Sequence, residues 1–189
     1  MSIIEDSKLK RKNKMISHNI ELKREIASYL SHVFSTCENK HLNKIVLDRL
    51  LWTASEDNLD GKRVKYLGQY YWSKAAILKY REKNIGRKMK DFSGLRHEHV
   101  MPRKLIKEMI EKKLEKPDNK SEDSIFDILE SYLHAVIITK EEDTVLNEMG
   151  RNQSMPKSFD KTDEILDRYK DTGIEVIFVK DKDLKTLEF

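Results

Sequence analysis

The chain has 189 residues, 38% hydrophobic and 37% charged, so it is long enough to bury a core and too rich in spaced apolar residues to be wholly disordered. Its single cysteine excludes an internal disulfide and a zinc site built from several cysteines. No apolar run is long enough to cross a bilayer and no signal-peptide core follows the basic N-terminus, which together predict a cytoplasmic protein with no membrane partner.

Apolar periodicity, with only three prolines and six glycines, predicts an α+β fold that is mainly helical and has a few short strands. We expect a basic flexible arm over residues 1–18 and a single globular domain over residues 19–189. The predicted helices lie near residues 21–35, 41–55, 73–83, 102–116, 124–133, 140–149 and 163–172. The predicted strands lie near residues 64–71, 95–100, 135–139 and 174–179. The last two strands are expected to be neighbours in one small sheet.

Residue types at the start of two predicted helices match known capping signals. Ser73 is the predicted N-cap of the third helix, and Gly86 follows the end of that helix. Thr139 and Glu142 have capping-box spacing at the start of the sixth. These two helices are therefore predicted to begin directly after Ser73 and Thr139.

The net charge of +4 is distributed unevenly, which divides the predicted domain into a helical, a basic and an acidic part. The charge balance is +1 over residues 1–61, +11 over residues 62–116 and −8 over residues 117–189. The basic part predicts contact with phosphate, and nucleic acid, either DNA or RNA, is the first partner it indicates. The acidic part is expected to face away from the phosphates, where a basic protein partner could bind it. Alternatively, both charge runs only solvate exposed helix faces.

The segment LRHEHVMPRK, residues 95–104, is the strongest candidate for a chemical site. His97, Glu98 and His99 are consecutive groups that can bind a metal or move a proton. Permanent cations flank them on both sides: Arg96, Arg103 and Lys104. If the segment is extended, the two histidines point to one face and Glu98 to the other. If it bends at Pro102, Glu98 and His99 can converge on one ion.

Glu98-His99 followed by Val100, Met101 and Pro102 resembles the first half of the HNH, or His-Me finger, nucleases. The resemblance implies a metal-dependent endonuclease in which Glu98 and His99 hold the ion and His99 is the general base. It implies Mg²⁺ or Mn²⁺ as the cofactor, with Zn²⁺ as an alternative. The catalytic residues it suggests are His97, His99, Arg96 and Arg103, because cations can stabilise charge on the reacting phosphate.

The resemblance also implies a degenerate ββα-metal-like element near residues 95–116. In that superfamily a second strand, an Asn and a helical His or Asn follow a few tens of residues later. In this chain Asn119 is the nearest amide, and His134 is a more remote candidate.

Two alternatives to catalysis stay open. The RHEH tetrapeptide can simply cap the following helix, since a carboxylate is favoured near a helix N-terminus. The chain can also be a non-catalytic protein whose basic face binds nucleic acid or a partner. In that interpretation aromatic rings stack on unpaired bases while cations meet phosphates. The predicted nucleic-acid-binding residues are Lys62, Arg63, Lys65, Tyr71, Lys74, Arg87, Lys88, Lys90 and Lys104.

Overall fold

The computed structural model describes residues 20–59, 62–115, 122–157, 159, 165–179 and 184. For residues 57–59 and 62–64 it describes the backbone only. The predicted arm at residues 1–18 and the candidate Asn119 therefore lie outside the described residues.

Helix predominates in the described part of the chain, which confirms the predicted mainly helical α+β fold. The helices are α1 (Ile20–Thr36), α2 (Lys40–Ser55), α3 (Lys74–Asn84), α4 (Arg103–Leu114), α5 (Glu122–Tyr132), α6 (Lys140–Glu148) and α7 (Asp167–Lys170). The strands are β1 (Asp57–Leu59), β2 (Lys62–Val64), β3 (Tyr71–Ser73), β4 (Leu95–His99), β5 (Ala135–Thr139) and β6 (Val176–Phe178). None of these helices combines the length and the apolarity that spanning a bilayer requires.

Four of the helices form a layer with its own apolar core. Helix α1 packs on α2 and α5, and α4 packs on the same two helices. Each contributes an apolar stripe at helical spacing, and Leu30, Leu51, Ile110 and Leu129 are fully buried between them. Burying one such side chain is worth about 1.5–3 kcal/mol, so this layer is a rigid support for the adjacent sheet.

The main sheet has the strand order β4-β5-β3-β6. Strand β5 is antiparallel to β4 and parallel to β3, and β6 is antiparallel to β3. The prediction that β5 and β6 are neighbours is wrong, because β3 lies between them. Trp72 pairs with Ile137 on one side and with Ile177 on the other, and its side chain is fully buried. Strand β3 is therefore an interior strand of the sheet, with β5 on one side and β6 on the other.

The predicted strand near 64–71 is divided in two. Residues 62–64 pair with residues 57–59 as a separate antiparallel hairpin, and residues 65–68 form a turn. Only the aromatic end of the segment enters the main sheet as β3. The aromatic and β-branched content of the segment predicted extended structure throughout, whereas Gly68, a residue type common in turns, lies within the observed turn.

The capping signals are confirmed. The Ser73 hydroxyl accepts from the Ala76 amide at 3.0 Å and donates to the Glu142 carboxylate at 2.6 Å, which ties α3 to α6. The Thr139 hydroxyl accepts from the Glu142 amide, and the Glu142 carboxylate accepts from the Thr139 amide. Gly86 follows α3 with a φ of +68°, a conformation that costs glycine little.

The predicted ββα element does not form within residues 95–116. Strand β4 leads directly into α4, and its antiparallel partner is β5, which follows only after α4 and α5. Helix α6 then starts at the end of β5 and packs against both strands. A strand pair followed by a helix is therefore present, but it is assembled from β4, β5 and α6.

Candidate functional site

Strand β4 divides its charged and imidazole side chains between two sides of the sheet. Alternate residues of a strand point to opposite faces, so His97 and His99 share one side and Glu98 points to the other. We call the side with Arg96, Glu98, Asp143 and Arg168 the carboxylate face. We call the side with Trp52, Lys65, His97, His99 and Arg103 the imidazole face. The structure therefore does not bring Glu98 and His99 together around one ion.

The interpretation of RHEH as a helix cap is wrong. The N-cap of α4 is Pro102, and no side chain caps that end of the helix. His97, Glu98 and His99 all lie within β4 instead, with backbone partners in β5. Their roles must come from what their side chains contact on the two faces.

On the carboxylate face, Glu98 is paired with a buried arginine. The Arg168 guanidinium has no exposed surface, and its Nη2 donates to Glu98 Oε1 at 2.7 Å. Its Nη1 donates to the His99 carbonyl oxygen at 2.6 Å, so one side chain of α7 holds the end of β4. The Glu98 side chain keeps 23% of its surface exposed, so it is largely but not completely buried.

Asp143 is the second carboxylate on this face. It lies in the first turn of α6, and its Oδ2 is 3.9 Å from Arg96 Nε. Burial raises the pKa of Glu98, the Arg168 guanidinium opposes that rise, and the charge of Asp143 adds to it. The two carboxylates therefore interact electrostatically, while Arg168 lies against Glu98 and Arg96 against Asp143.

Sequence reasoning did not assign Asp143 to the site. Glu141, Glu142 and Asp143 are together in the first turn of α6, where acidic side chains are stabilised by the helix dipole in any case. Glu141 does bind Lys79, and Glu142 completes the capping box. Asp143 differs from its neighbours because the pairing of β4 with β5 places it beside Arg96. Helices α4 and α5 separate these two strands in the chain, so the contact joins residues far apart in sequence.

The imidazole face is buried. His97 is 8% and His99 is 5% exposed, and their rings lie 6.3 Å and 5.9 Å from the Trp52 ring. His97 Nε2 contacts the Ser55 carbonyl oxygen at 3.0 Å, whereas among the described residues His99 Nε2 has no hydrogen-bond partner. Burial lowers the pKa of His97 to about 4, with Lys65 nearby adding to the effect. The two rings are therefore neutral at pH 7.

The pKa of His99 lies well below its ordinary value of 6.5. Burial is the main cause, and the neighbouring His97, Arg103 and Arg168 lower it further. A neutral imidazole can accept a proton, which is what a general base requires. Its pKa is also far enough from 7 to make it a weak base.

Two cations lie over Trp52 on this face. Lys65 Nζ is 5.3 Å and the Arg103 guanidinium carbon 4.6 Å from the ring centroid. Arg103 also lies 3.5 Å from the Asp48 carboxylate, which Lys107 approaches to 3.0 Å. The predicted catalytic residue Arg103 is therefore held beside the imidazoles rather than beside Glu98.

The predicted nucleic-acid-binding cations differ in their surroundings. Lys74 lies 3.6 Å from the Glu175 carboxylate, and Arg87 lies 3.4 Å from Asp91. Lys88, Lys90 and Lys104 are exposed. Lys62 and Arg63 belong to β2, whose side chains are outside the described part of the structure.

Two further candidates lie in the core. Tyr71 is 8% exposed and its ring is 5.3 Å from that of Phe178, so it is not available to stack on a base. His134 is 1% exposed, and its Nε2 contacts the Glu130 carbonyl oxygen at 2.8 Å. Tyr71 lies in an interior strand of the sheet, and His134 lies directly before β5. Packing against neighbouring elements buries both side chains.

The acidic part of the chain does not face away from the basic part. Among the described residues, four ion pairs join basic residues of the first two parts to acidic residues beyond residue 116: Arg24–Asp123, Lys74–Glu175, Lys79–Glu141 and Arg96–Asp143. The expectation of a separate acidic surface is wrong for these residues, because the sheet places β4 and β5 side by side. Charge that is separated along the sequence is partly neutralised in space.

The carboxylate face has the donor type that Mg²⁺ or Mn²⁺ prefers. Within the described ranges, no group of three or more His, Cys, Asp or Glu side chains is placed to share a metal ion. Mg²⁺ is commonly bound by only one or two carboxylates together with waters and substrate phosphates. Glu98 and Asp143 meet that requirement in number and type, although each already has an arginine partner, Arg168 and Arg96 respectively. They fit Zn²⁺ less well, because no neutral histidine joins them on this face.

Comparison of the chain with protein-family models, with curated proteins and with solved structures finds no match. What can be said of the function therefore rests on the geometry of the two faces of β4.

Proposed function

We propose that this protein is a metal-dependent endonuclease that hydrolyses phosphodiester bonds in nucleic acid. The observation that carries the proposal is the presence of Glu98 and Asp143 on one face of β4, β5 and α6. Strands β4 and β5 with helix α6 are similar in their spatial arrangement to the ββα unit that the HNH resemblance implies, although α4 and α5 separate the two strands in the chain. Asp143 is on the helix, where that superfamily has a His or an Asn.

Glu98 and Asp143 would hold the ion, which when bound polarises a phosphoryl oxygen and lowers the pKa of water. Arg96 lies beside Asp143 and can bind a second phosphate oxygen. Arg168 is fully buried, so it orients Glu98 without reaching the substrate. His99 is not assigned the role of general base, because its ring is buried on the other side of β4 from Glu98 and Asp143.

The test is cleavage of single-stranded, duplex and structured DNA and RNA with Mg²⁺ or Mn²⁺. Asp143→Asn is expected to reduce cleavage by about 100-fold or more, because it removes one of two charged ligands. Glu141→Gln is the matched control, since it removes an acidic side chain from the same helical turn that is bound to Lys79. It is expected to cleave as the unsubstituted protein does.

His99 is tested separately, because its ring lies on the other side of β4. His99→Gln is expected to leave cleavage and nucleic-acid binding nearly unchanged in a folded protein, because the ring is buried on the other face of β4. Loss of cleavage with binding retained in a folded His99→Gln protein would contradict this and make His99 the general base. Absence of cleavage under all these conditions, with no effect of chelators, would contradict the proposal as a whole.

A second candidate function is non-catalytic binding of nucleic acid. The observation that favours it is that the charge of Glu98 is already compensated by Arg168, while exposed cations remain elsewhere. Neutralising Arg87, Lys88 and Lys90 is expected to weaken binding and reduce its salt dependence in either case. Binding that persists in chelator, without cleavage on addition of metal, would favour this candidate.

A further inference from the structure

The connection between α3 and β4 carries the two most exposed large apolar side chains of the described residues. Ile85 is 80% and Met89 is 85% exposed, whereas no other large apolar side chain in the described part exceeds 52%. We call residues 85–90, Ile-Gly-Arg-Lys-Met-Lys, the basic loop. These two exposed apolar side chains lie within one short basic segment, and it is this combination of apolar and cationic side chains that suggests a partner.

The base of the basic loop is closed by one buried side chain. Asn84 is 4% exposed, and its amide nitrogen donates to the Asp91 carbonyl oxygen at 2.9 Å while its amide oxygen accepts from the Asp91 amide at 2.8 Å. Phe92 follows and stacks on Tyr66 and Tyr80. The ends of the loop are therefore held together, and its tip is directed outward.

Cations surround the two apolar side chains. Arg87 is 3.4 Å from Asp91, and within the described part of the chain Lys88 and Lys90 have no ion-pair partner. All three side chains are exposed. A tip of this composition matches a partner that offers both negative charge and an apolar interior.

The basic loop is also close to the carboxylate face. It leads into β4 through Gly94, whose carbonyl oxygen accepts from the Lys140 amide at the start of α6. Glu98 is four residues beyond Gly94, or about 13 Å at the rise of an extended strand, and eight residues beyond the end of the loop at Lys90. A polymer bound at the loop can therefore continue past Glu98 and Asp143.

We propose that the basic loop binds duplex nucleic acid and inserts Met89, supported by Ile85, as a wedge between adjacent base pairs. Apolar wedges of this kind partly unstack a base step, and neighbouring cations hold the phosphates on either side. The choice of nucleic acid as partner rests on the proposed function. The wedge specifies the substrate class for that function: a nucleic-acid duplex whose base pairs are locally unstacked near the carboxylate face.

An anionic lipid surface is the other partner with this chemistry, and the structure favours it less. Stable anchoring to a bilayer requires a larger apolar face or two lipid chains, and a single myristoyl chain alone binds only marginally. Ile85 and Met89 offer fewer apolar carbons than one such chain. Insertion into a base step requires only one or two side chains.

The experiment measures duplex binding and base unstacking in EDTA, so that neither readout depends on cleavage. The probe is a short DNA duplex containing 2-aminopurine, whose fluorescence rises when the base unstacks. The double variant Ile85→Ser/Met89→Ser is expected to bind about tenfold more weakly and to abolish the fluorescence rise, with the salt dependence of binding unchanged. Lys88→Gln/Lys90→Gln is expected to reduce the slope of log affinity against log salt by about 0.9 for each phosphate that the protein no longer neutralises.

Leu78→Ser is the matched control, because Leu78 is a 49% exposed apolar side chain on α3, away from the loop. It is expected to change neither readout. A folded wedge variant that binds and unstacks the duplex like the unsubstituted protein would overturn the proposal. Binding to vesicles of phosphatidylserine and phosphatidylcholine, without binding to the duplex, would overturn it in favour of a lipid surface. A duplex that is unstacked but never cleaved would contradict only the nuclease.

Discussion

The carboxylate face and the imidazole face of β4 are built from alternate residues of the same strand, yet they have opposite electrostatic character. On the first, charged side chains meet charged side chains: Glu98 with Arg168, and Asp143 with Arg96. On the second, two neutral imidazoles are buried against Trp52, and the cations lie at its edge.

The difference shows how burial selects the state of an ionisable group. Glu98 retains a charge partner because Arg168 is placed directly against it. His97 and His99 have cations as neighbours, so protonation would place like charges together in the interior. One strand can therefore hold a polar pair on one side and neutral rings on the other.

The largest expected effect comes from breaking the ion pair of the carboxylate face. Arg168→Met would leave Glu98 largely buried without its partner, and the His99 carbonyl oxygen would keep only the longer hydrogen bond from the Tyr169 hydroxyl, at 3.4 Å, of its two side-chain hydrogen bonds. Removing one member of a buried pair typically costs about 3–5 kcal/mol, so we expect a loss of this size in the free energy of unfolding. Urea denaturation followed by circular dichroism measures it.

The control for this change is the double variant Glu98→Gln/Arg168→Met. It removes both charges, and it is expected to be more stable than Arg168→Met alone. If the two variants have the same free energy of unfolding, the loss of stability is caused by poorer packing and not by an unpaired carboxylate.

An intermediate effect is expected from pH on the imidazole face. The pKa of His97 falls from 6.5 to about 4 on folding, so between these values the unfolded chain holds a proton that the folded chain does not. The free energy of unfolding should therefore decrease as pH falls through this window, by at most about 1.4 kcal/mol per pH unit. Urea titrations of His97→Gln at pH 7 and pH 4.5 should show a smaller acid loss than the unsubstituted protein.

The exposed His32 supplies the control, since His32→Gln should leave the acid loss unchanged. The carboxylate face should respond with the opposite sign. The raised pKa of Glu98 means that the folded chain binds a proton at higher pH than the unfolded chain, which stabilises the fold on acidification. Glu98→Gln should therefore steepen the acid loss, and a shallower loss would contradict this contrast.

The smallest effect is expected at the edge of the imidazole face. Asp48 binds Arg103 and Lys107 in partly exposed ion pairs. Asp48→Asn is expected to reduce the free energy of unfolding by about 0.2–1 kcal/mol, because solvent and salt screen such pairs. Denaturation at low and at high salt measures it, and a larger effect at high salt would contradict an electrostatic cause.

The sequence by itself determined the helices and most strand positions, because periodicity and capping are local properties. The amphipathic pattern of α1, the Ser73 cap and the Thr139 capping box all depend on residues within four positions of one another. The exposed cations of the basic loop were identified in the same way. The segment LRHEH was predicted to be extended, and the placing of its two histidines on one side was one of two alternatives that strand geometry left open.

Only the tertiary structure decided which side chains meet across the sheet. Asp143 lies beside Arg96 because β5 pairs with β4 across two intervening helices, and Arg168 reaches Glu98 from α7. Tyr71 is buried because β3 lies between β5 and β6. The exposure of Ile85 and Met89 likewise depends on Asn84 closing the loop at Asp91. Contacts between residues far apart in sequence depend on strand order and packing, which periodicity within one segment does not encode.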